Sequence, residues 1–281
     1  MFKRVAIVGV GFMGGSFALA LREAVKGVEI LGVDINPKAL EKALDLKVID
    51  RAYERLDDLE NVGLVVLASP VRTFYNIAKS LKQVLDDQTI VTDMGSVKGK
   101  LVYELENILG KKFVGGHPIA GTEKSGVENS RKDLFKGKRF ILTPTPNTDQ
   151  EAKRKVSELW SLLGSYVEEM DPYVHDYVFG CVSHLPHAVA FALIDALINL
   201  KKDVDLFKYP GAGFRDFTRI AASDPIMWRD IFLENKENVL TAIDVYISSL
   251  QKLVDLIREG REEELTSYLK EAREHRLRLE E

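Results

Sequence analysis

Val5-Ala-Ile-Val-Gly-Val-Gly-Phe-Met-Gly-Gly-Ser16 is the stretch that decides the fold of this 281-residue chain. Val5–Val8 is a short apolar run rich in β-branched residues, the kind buried in a parallel sheet. Gly9, Gly11 and Gly14 follow at Gly-x-Gly-x-x-Gly spacing, and an amphipathic stretch with Phe17, Leu19 and Leu21 then reads as a helix to about Val25. Strand, glycine turn and helix in that order form a cradle for a pyrophosphate. Gly9 permits the tight turn, Gly11 lets backbone approach the phosphates, and Gly14 lets helix and strand pack closely. The helix N-terminus adds free N–H groups and positive potential. The cofactor-binding candidates here are Gly9, Val10, Gly11, Phe12, Met13 and Gly14. A second strand, Ile30–Val33, ends in Asp34, twenty residues past Gly14, where a carboxylate can accept hydrogen bonds from a ribose diol. A flavodoxin-like sheet with an incidental glycine turn explains the glycines but not the acid. Asp34 repels a 2′-phosphate, and Ile35-Asn36 offer no Arg, so the pattern favours NAD over NADP. Lys38 is close enough to keep NADP open.

Composition bounds the class. With 46% hydrophobic residues the chain can bury a sizeable core, and its length suggests about two domains. A net charge of −4 gives no basic surplus for nucleic acid. The single Cys181 excludes an intrachain disulfide and fits a reducing compartment. The chain passes from Met-Phe-Lys-Arg straight into a strand pattern, with no room for a signal peptide, and no apolar run reads as long enough to span a bilayer. The expectation is a cytoplasmic protein with neither nucleic acid nor membrane as partner.

The alternation continues past Asp34. Helices read over 37–46, 74–85 and 98–109, and strands over 62–67, 89–92, 112–114 and 139–143, with Pro144–Asp149 leading to a helix over 151–163 and Tyr166-Val167 closing the half. Each polar turn follows the C-terminal end of a strand. In a doubly wound parallel sheet those ends share one edge, where ligands bind. Ser69, Pro70, Arg72, Asp93 and Gly95 are therefore further cofactor candidates, and Ser96 is a catalytic candidate that can hold a substrate hydroxyl or orient a histidine. Its competing role is N-cap of the helix that follows.

Gly115-Gly-His-Pro-Ile-Ala-Gly-Thr-Glu-Lys-Ser-Gly126 is the densest chemical stretch. It reads as a tight loop after strand 112–114, with His117, Thr122, Glu123 and Lys124 all able to handle protons or charge. An ordinary turn with a structural His117 is the plainer alternative. From Pro172 on no strand is evident. Asp171-Pro172 caps a long helix. Asp176, Gly180, Ser183 and His187 share one helical face. Pro186 should free the carbonyl of Val182 and kink the helix. His184 and His187 share a helical spacing, but with His175 they make a poor metal site, and none is expected. The glycines of Gly211-Ala-Gly213 mark a break. Arg219 either pairs with Asp216 on a helix or clamps a substrate carboxylate with its planar fork. Trp228 is either core or the wall of an aromatic pocket. A helical stripe runs from about Leu233 to Ile257, and a charged helix from Arg261 to Glu281. So many apolar faces in a small helical half point to a homodimer.

Taken together, Gly9–Gly14 with Asp34, Asp93-Met-Gly-Ser-Val-Lys98, Gly116-His-Pro-Ile-Ala-Gly-Thr-Glu123, Ser183-His-Leu-Pro-His187 and Gly213-Phe-Arg-Asp-Phe-Thr-Arg219 with Asp224-Pro-Ile-Met-Trp228 resemble the prephenate/arogenate dehydrogenases of tyrosine biosynthesis. The resemblance spans nearly the whole chain in the family's order. It implies an α/β fold: an N-terminal doubly wound, Rossmann-type dinucleotide-binding domain (1–171), then an all-helical substrate and dimerisation domain (172–281), with the active site in the cleft. It implies neither an appended chorismate mutase before residue 1 nor a regulatory ACT domain after residue 260. The implied reaction is oxidative decarboxylation of a cyclohexadienol with NAD. His117 is the implied base and Ser96 its support. Arg219, Thr122, Glu123, Ser183, His187, Gly213, Asp216 and Trp228 line the substrate, and Glu123 with Arg219 gates it. An unperturbed imidazole implies activity lost as pH falls through about 6.5. Prephenate is the first expected substrate, arogenate the alternative, and tyrosine a possible feedback inhibitor. The rival readings are a β-hydroxyacid dehydrogenase or imine reductase of the same layout, and a non-catalytic NAD-sensing dimer.

Overall fold

The computed structural model describes residues 2–200 and 204–280. Its first half alternates strand and helix: β1 (Arg4–Val8), α1 (Phe12–Ala24), β2 (Glu29–Val33), α2 (Pro37–Asp45), β3 (Arg51–Tyr53), β4 (Leu64–Leu67), α3 (Phe74–Val84), β5 (Ile90–Asp93), α4 (Gly99–Leu109), β6 (Phe113–Pro118), β7 (Arg139–Thr143), α5 (Gln150–Leu162) and β8 (Tyr166–Glu169). They form one eight-stranded sheet of order β3-β2-β1-β4-β5-β6-β7-β8. Apolar strands such as Leu64–Leu67 are buried on both faces, and two hydrophobic clusters cover the sheet from either side. All pairings are parallel except β6 with β7. The C-terminal ends of β1, β2, β4, β5 and β6 therefore lie on one edge, as the sequence pattern requires. The short β3 carries no clear apolar signal and was not foreseen.

The stretch from Gly115 corrects one expectation. It is not a turn: β6 runs on through Gly116 and His117 to Pro118 and pairs antiparallel with β7, Gly116 opposite Leu142 and His117 opposite Ile141. The glycines serve close packing instead. A Cβ on Gly115 would lie 2.5 Å from Thr143 Oγ1, and one on Gly116 would lie 2.3 Å from Phe140 Cζ. Phe140 cannot give way easily, because its ring is wholly buried and stacks on Trp160 at 3.9 Å. The loop proper begins only at Ile119.

Beyond β8 the described residues hold only helices: α6 (Pro172–Phe179), α7 (Leu185–Asn199), α8 (Ala212–Thr218), α9 (Pro225–Glu234), α10 (Lys236–Arg258) and α11 (Glu262–Leu277). Glu281, the end of the expected terminal helix, lies outside the described residues. A π-helical turn, Gly180–His184, joins α6 to α7, with Leu185 N–H bonded to Gly180 O. The wider turn takes up the break that Pro186 imposes, so α6 and α7 run on as one helix rather than a sharp kink. This corrects a second expectation: by length and composition, Pro172–Asn199 is long and apolar enough to cross a bilayer.

Compactness divides the chain into Met1–Lys236 and Glu237–Glu281. Helices α6 to α9 thus belong with the sheet, and compactness alone splits the chain elsewhere than the expected 171/172. The contacts of α4 and α6, and a small apolar cluster of Val97, Trp228 and Ile231, tie this helical segment to the sheet edge.

Replacing Gly116 with Ala should overpack the Phe140–Trp160 stack and lower stability by roughly 1–3 kcal/mol. A shift in the denaturant midpoint at unchanged slope would register it.

Candidate active site

The glycine turn has the form its spacing requires. Gly9 has a left-handed φ of +99°, and a Cβ there would meet Ser69 N at 2.5 Å. A Cβ on Gly14 would meet Gly9 O at 2.1 Å. Gly11 is the N-cap of α1, receives no side-chain cap, and would point a Cβ into open space. The first-turn N–H groups of α1, at Phe12 and Met13, are thus left for an incoming anion. Asp34 sits at the end of β2 with its carboxylate fixed: Val10 N–H donates to Oδ2 at 2.8 Å and Asn36 N–H to Oδ1 at 2.9 Å. Ile35 beside it is exposed and presents no cation. The turn therefore fits a dinucleotide with a free ribose diol.

The other cofactor candidates divide. Ser69 lies against Gly9 and shares a hydrogen bond with Thr73 at 2.8 Å, and Pro70 is exposed nearby. Arg72 points to α9, where it pairs with Glu234 at 2.9 Å. Asp93 is a correction: its side chain has no exposed surface and cannot reach a nucleotide. It accepts from Gly95 N–H at 2.8 Å, from Gly116 N–H at 3.0 Å, and from the equally buried ammonium of Lys98. Gly95 is buried within the same turn, where a Cβ would meet Val71 at 2.8 Å.

His117 lies at the crevice end of β6, partly exposed. Its Nδ1 is 2.8 Å from His175 Nε2, and His175 Nδ1 is 2.9 Å from Asp176 Oδ1. His175 and Asp176, on α6, are both buried. Phe179 packs edge-on against His117 at 5.1 Å and tilts over His175 at 4.5 Å. Burial, reinforced by His175 and Lys98, holds the His117 imidazolium well below its usual 6.5, so the ring is neutral near pH 7. Burial likewise pushes His175 down to about 2. The sequence reading passed over this pair: His175 entered it only as a poor metal ligand. Its one signal was a His-Asp neighbour pair near the start of a helix.

Ser96 is half-buried on the turn between β5 and α4. The alternative N-cap role falls away. Helix α4 starts at Gly99, and the N–H of its N-cap residue, Lys98, donates to Asp176 Oδ1 at 2.7 Å instead. His184 is buried nearby and hydrogen-bonds through Nδ1 with Asn235 Nδ2 at 3.1 Å. Burial lowers it to about 4. Among the described residues no group of three His, Cys, Asp or Glu is placed to hold a metal ion.

The remaining candidates lie on the helical side and on the loop after β6. Arg219 pairs with Glu123 at 2.9 Å rather than with Asp216. A backbone N–H and then Arg219 hold the Glu123 carboxyl below its usual range. Thr122 is exposed and accepts from Lys124 N–H at 3.2 Å. His187 donates from Nδ1 to Ser183 O at 2.9 Å, and its ring stacks on Trp228 at 3.6 Å. Trp228 is thus both things that the sequence allowed, a buried core ring and the wall behind a histidine. Gly213 and Asp216 lie exposed on α8, which begins at Ala212, so the break precedes Gly213.

Comparison with known proteins shows the family. Profiles described as "Prephenate dehydrogenase, nucleotide-binding domain" and "Prephenate dehydrogenase, dimerization domain" match residues 17–169 and 171–271. The crystal structure of prephenate dehydrogenase from Aquifex aeolicus, in complex with hydroxyphenyl propionate and NAD+, is 58% identical, covers 99% of both chains and superposes with a TM-score of 0.95. Prephenate dehydrogenase of Bacillus subtilis is 36% identical over 98% of this chain and 76% of its own length. Cyclohexadienyl dehydrogenase of Zymomonas mobilis is 32% identical over 99% of this chain and 97% of its own. The chain belongs to the prephenate dehydrogenase family.

Proposed function

We propose that this protein is an NAD-dependent prephenate dehydrogenase that converts prephenate to 4-hydroxyphenylpyruvate and carbon dioxide in tyrosine biosynthesis. One observation carries the reading. A neutral, half-exposed imidazole, His117, is held by Nδ1 on the same sheet edge as the glycine turn and Asp34. The residues that would hold NAD are the α1 N-terminus at Gly11 to Gly14, with Asp34 for the ribose and Ser69 and Pro70 beside the turn. When bound, NAD supplies the hydride acceptor. Asp34 favours it over NADP, since a 2′-phosphate there would face a carboxylate.

His117 does the proton work. As hydride leaves the ring carbon that bears the hydroxyl, that carbon becomes carbonyl-like and the hydroxyl proton becomes acidic. A neutral imidazole accepts it through Nε2, a contribution of about 10²–10⁴-fold. The opposite ring carbon loses its carboxylate as carbon dioxide, and His117 returns the proton to the phenolate that results. Ser96 steadies the hydroxyl. Arg219 takes one of the two substrate carboxylates, Glu123 holds it ready in between, and Thr122, Ser183, His187, Gly213, Asp216 and Trp228 complete the pocket. Because Glu123 already has a cationic partner, it offers little to an ammonium, which ranks prephenate above arogenate. The reading carries with it a nucleotide-binding domain over 1–171 and a helical dimerisation domain over 172–281, supported by profiles that meet between 169 and 171. It also carries a cytoplasmic homodimer and product-like inhibition by tyrosine.

The test is NAD(P)H formation with prephenate and with arogenate, each with NAD and NADP. Turnover should be fastest with prephenate and NAD. No turnover with either cyclohexadienol, against tight NAD binding, would move the chain to another dehydrogenase chemistry or to a sensor. The lowered pKa of the buried His117 moves the expected acid loss below the value of about 6.5 that an unperturbed imidazole implies. His117 must be unprotonated, and its folded pKa is lowered, so kcat should hold through pH 6.5 and fall only in more acid solution. Removing the Arg219 fork, as Arg219→Ala, should raise KM for prephenate roughly tenfold or more while kcat changes less. An unchanged KM would remove the clamp.

A further inference from the structure

We infer that His175 and Asp176 are positioning residues for catalysis, a buried relay that fixes the tautomer of His117 and balances the charge it gains. The inference rests on the proposed role of His117 as base. It follows from the donor and acceptor inventory of the three groups. Asp176, raised by burial only to about 6, is ionised at pH 7, and its Oδ1 accepts the main-chain N–H of Lys98 at 2.7 Å. His175 Nδ1, 2.9 Å from the same oxygen, must then carry the proton. A neutral His175 keeps a bare Nε2, so His117 Nδ1, 2.8 Å away, must donate to it. A neutral His117 bonded this way has its proton on Nδ1 and its lone pair on Nε2. That is the tautomer a base needs, and it is set two hydrogen bonds away, at Asp176.

The surroundings make the arrangement hold. Gly99 leaves room for the carboxylate: a Cβ there would lie 2.5 Å from Asp176 Oδ2. Asn235 Nδ2 donates to Asp176 O at 2.7 Å and anchors the helix behind it. Phe179 covers both imidazoles and keeps water from competing. The titratable groups facing the relay are Lys98 from the turn before α4, with Asp93 of β5 behind it, and His184 from the π-helical turn. Lys98 and Asp93 neutralise each other as a pair. His184 is uncharged near neutral pH. The net buried charge of the resting cluster is thus the single negative charge of Asp176, and a proton arriving on His117 brings it to zero. Burial raises the Asp176 carboxyl to about 6, opposed by the N–H of Lys98, so the relay is ionised at neutral pH. No proton need pass along it. His117 Nε2 takes the hydroxyl proton and gives it back, while Asp176 stays unprotonated, as in hydrolase triads where an acid holds the imidazole.

The direct test is nitrogen NMR of the full-length enzyme carrying isotopically labelled histidine. The chain has five histidines, so single His→Gln variants assign the signals. The resting His117 should be protonated at Nδ1 and bare at Nε2; a proton on Nε2 overturns the relay. Asp176→Asn then supplies the kinetic readout. Loss of the negative charge makes imidazolium harder to form. The folded variant should therefore lose kcat roughly 10²-fold, the lower end of what a placed base contributes. The acid limb of its kcat profile should also move to lower pH, with NAD binding intact. Wild-type kcat with an unmoved limb overturns the proposal. Should Asp176→Asn fail to fold, His175→Gln keeps an acceptor for His117 and should retain more kcat than His175→Leu, and equal losses count against the relay. The tautomer is measured without turnover, so an enzyme inactive on both cyclohexadienols with Nδ1–H on His117 would sink the reaction and leave the relay.

Discussion

The buried carboxylate of Asp93 is the point on which the site depends. It accepts the N–H groups of Gly95 and Gly116 and the ammonium of Lys98, and neither side chain of the ion pair has exposed surface. A carboxylate and an ammonium wholly removed from solvent persist only when each compensates the other and the remaining lone pairs are satisfied. Here that condition binds three segments: the end of β5, the turn into α4 and the second glycine of β6. From Lys98 the constraint passes on, because its main-chain N–H is fixed by Asp176. Asp176 fixes His175, and His175 fixes His117. The imidazole of His117 is therefore held from two sides, by its own strand and by a helix nearly sixty residues later in the chain.

Close approach, rather than turning, explains the glycines that matter most. At Gly14, Gly99, Gly115 and Gly116 a Cβ would lie 2.1–2.5 Å from a neighbouring atom. Each marks a place where two segments must nearly touch: α1 with the turn before it, α4 with Asp176, β6 with β7. Of the glycines in the first turn, Gly9 alone uses the left-handed region for the direction of the chain. Gly11 differs from both kinds. It borders open space at an uncapped helix start, as a site that receives an anion requires.

The α6–α7 helix shows how one local irregularity serves several ends. The π-helical turn at Gly180–His184 absorbs Pro186 and so keeps two helices continuous. It also re-phases the face that the sequence pattern had drawn through Asp176, Gly180, Ser183 and His187. The result buries His184 beside Asn235, and it leaves His187 half-exposed on Trp228. Such widened turns are frequent at functional sites, because one extra residue per turn moves a side chain without breaking the helix.

Much of this protein was determined by sequence alone. The period of apolar residues set the order of strands and helices, since buried parallel strands and amphipathic helices need those patterns whatever surrounds them. The glycine turn and Asp34 placed the nucleotide site, because their spacing reflects a local backbone requirement. His117, Arg219 and Glu123 stood out as candidates by their residue types and by the family resemblance of the stretches that carry them. The tertiary structure decided what local patterns cannot encode. Gly115-Gly116 reads as a turn until Phe140 and Thr143 are seen to press against it. Asp93 reads as a ligand group until Lys98 buries it. Ser96 reads as a cap until Asp176, some eighty residues on, takes that place. His175 carries no period, spacing or motif of its own. Its partner His117 lies 58 residues earlier, and a hydrogen bond of that span exists only once the helix is docked against the sheet edge.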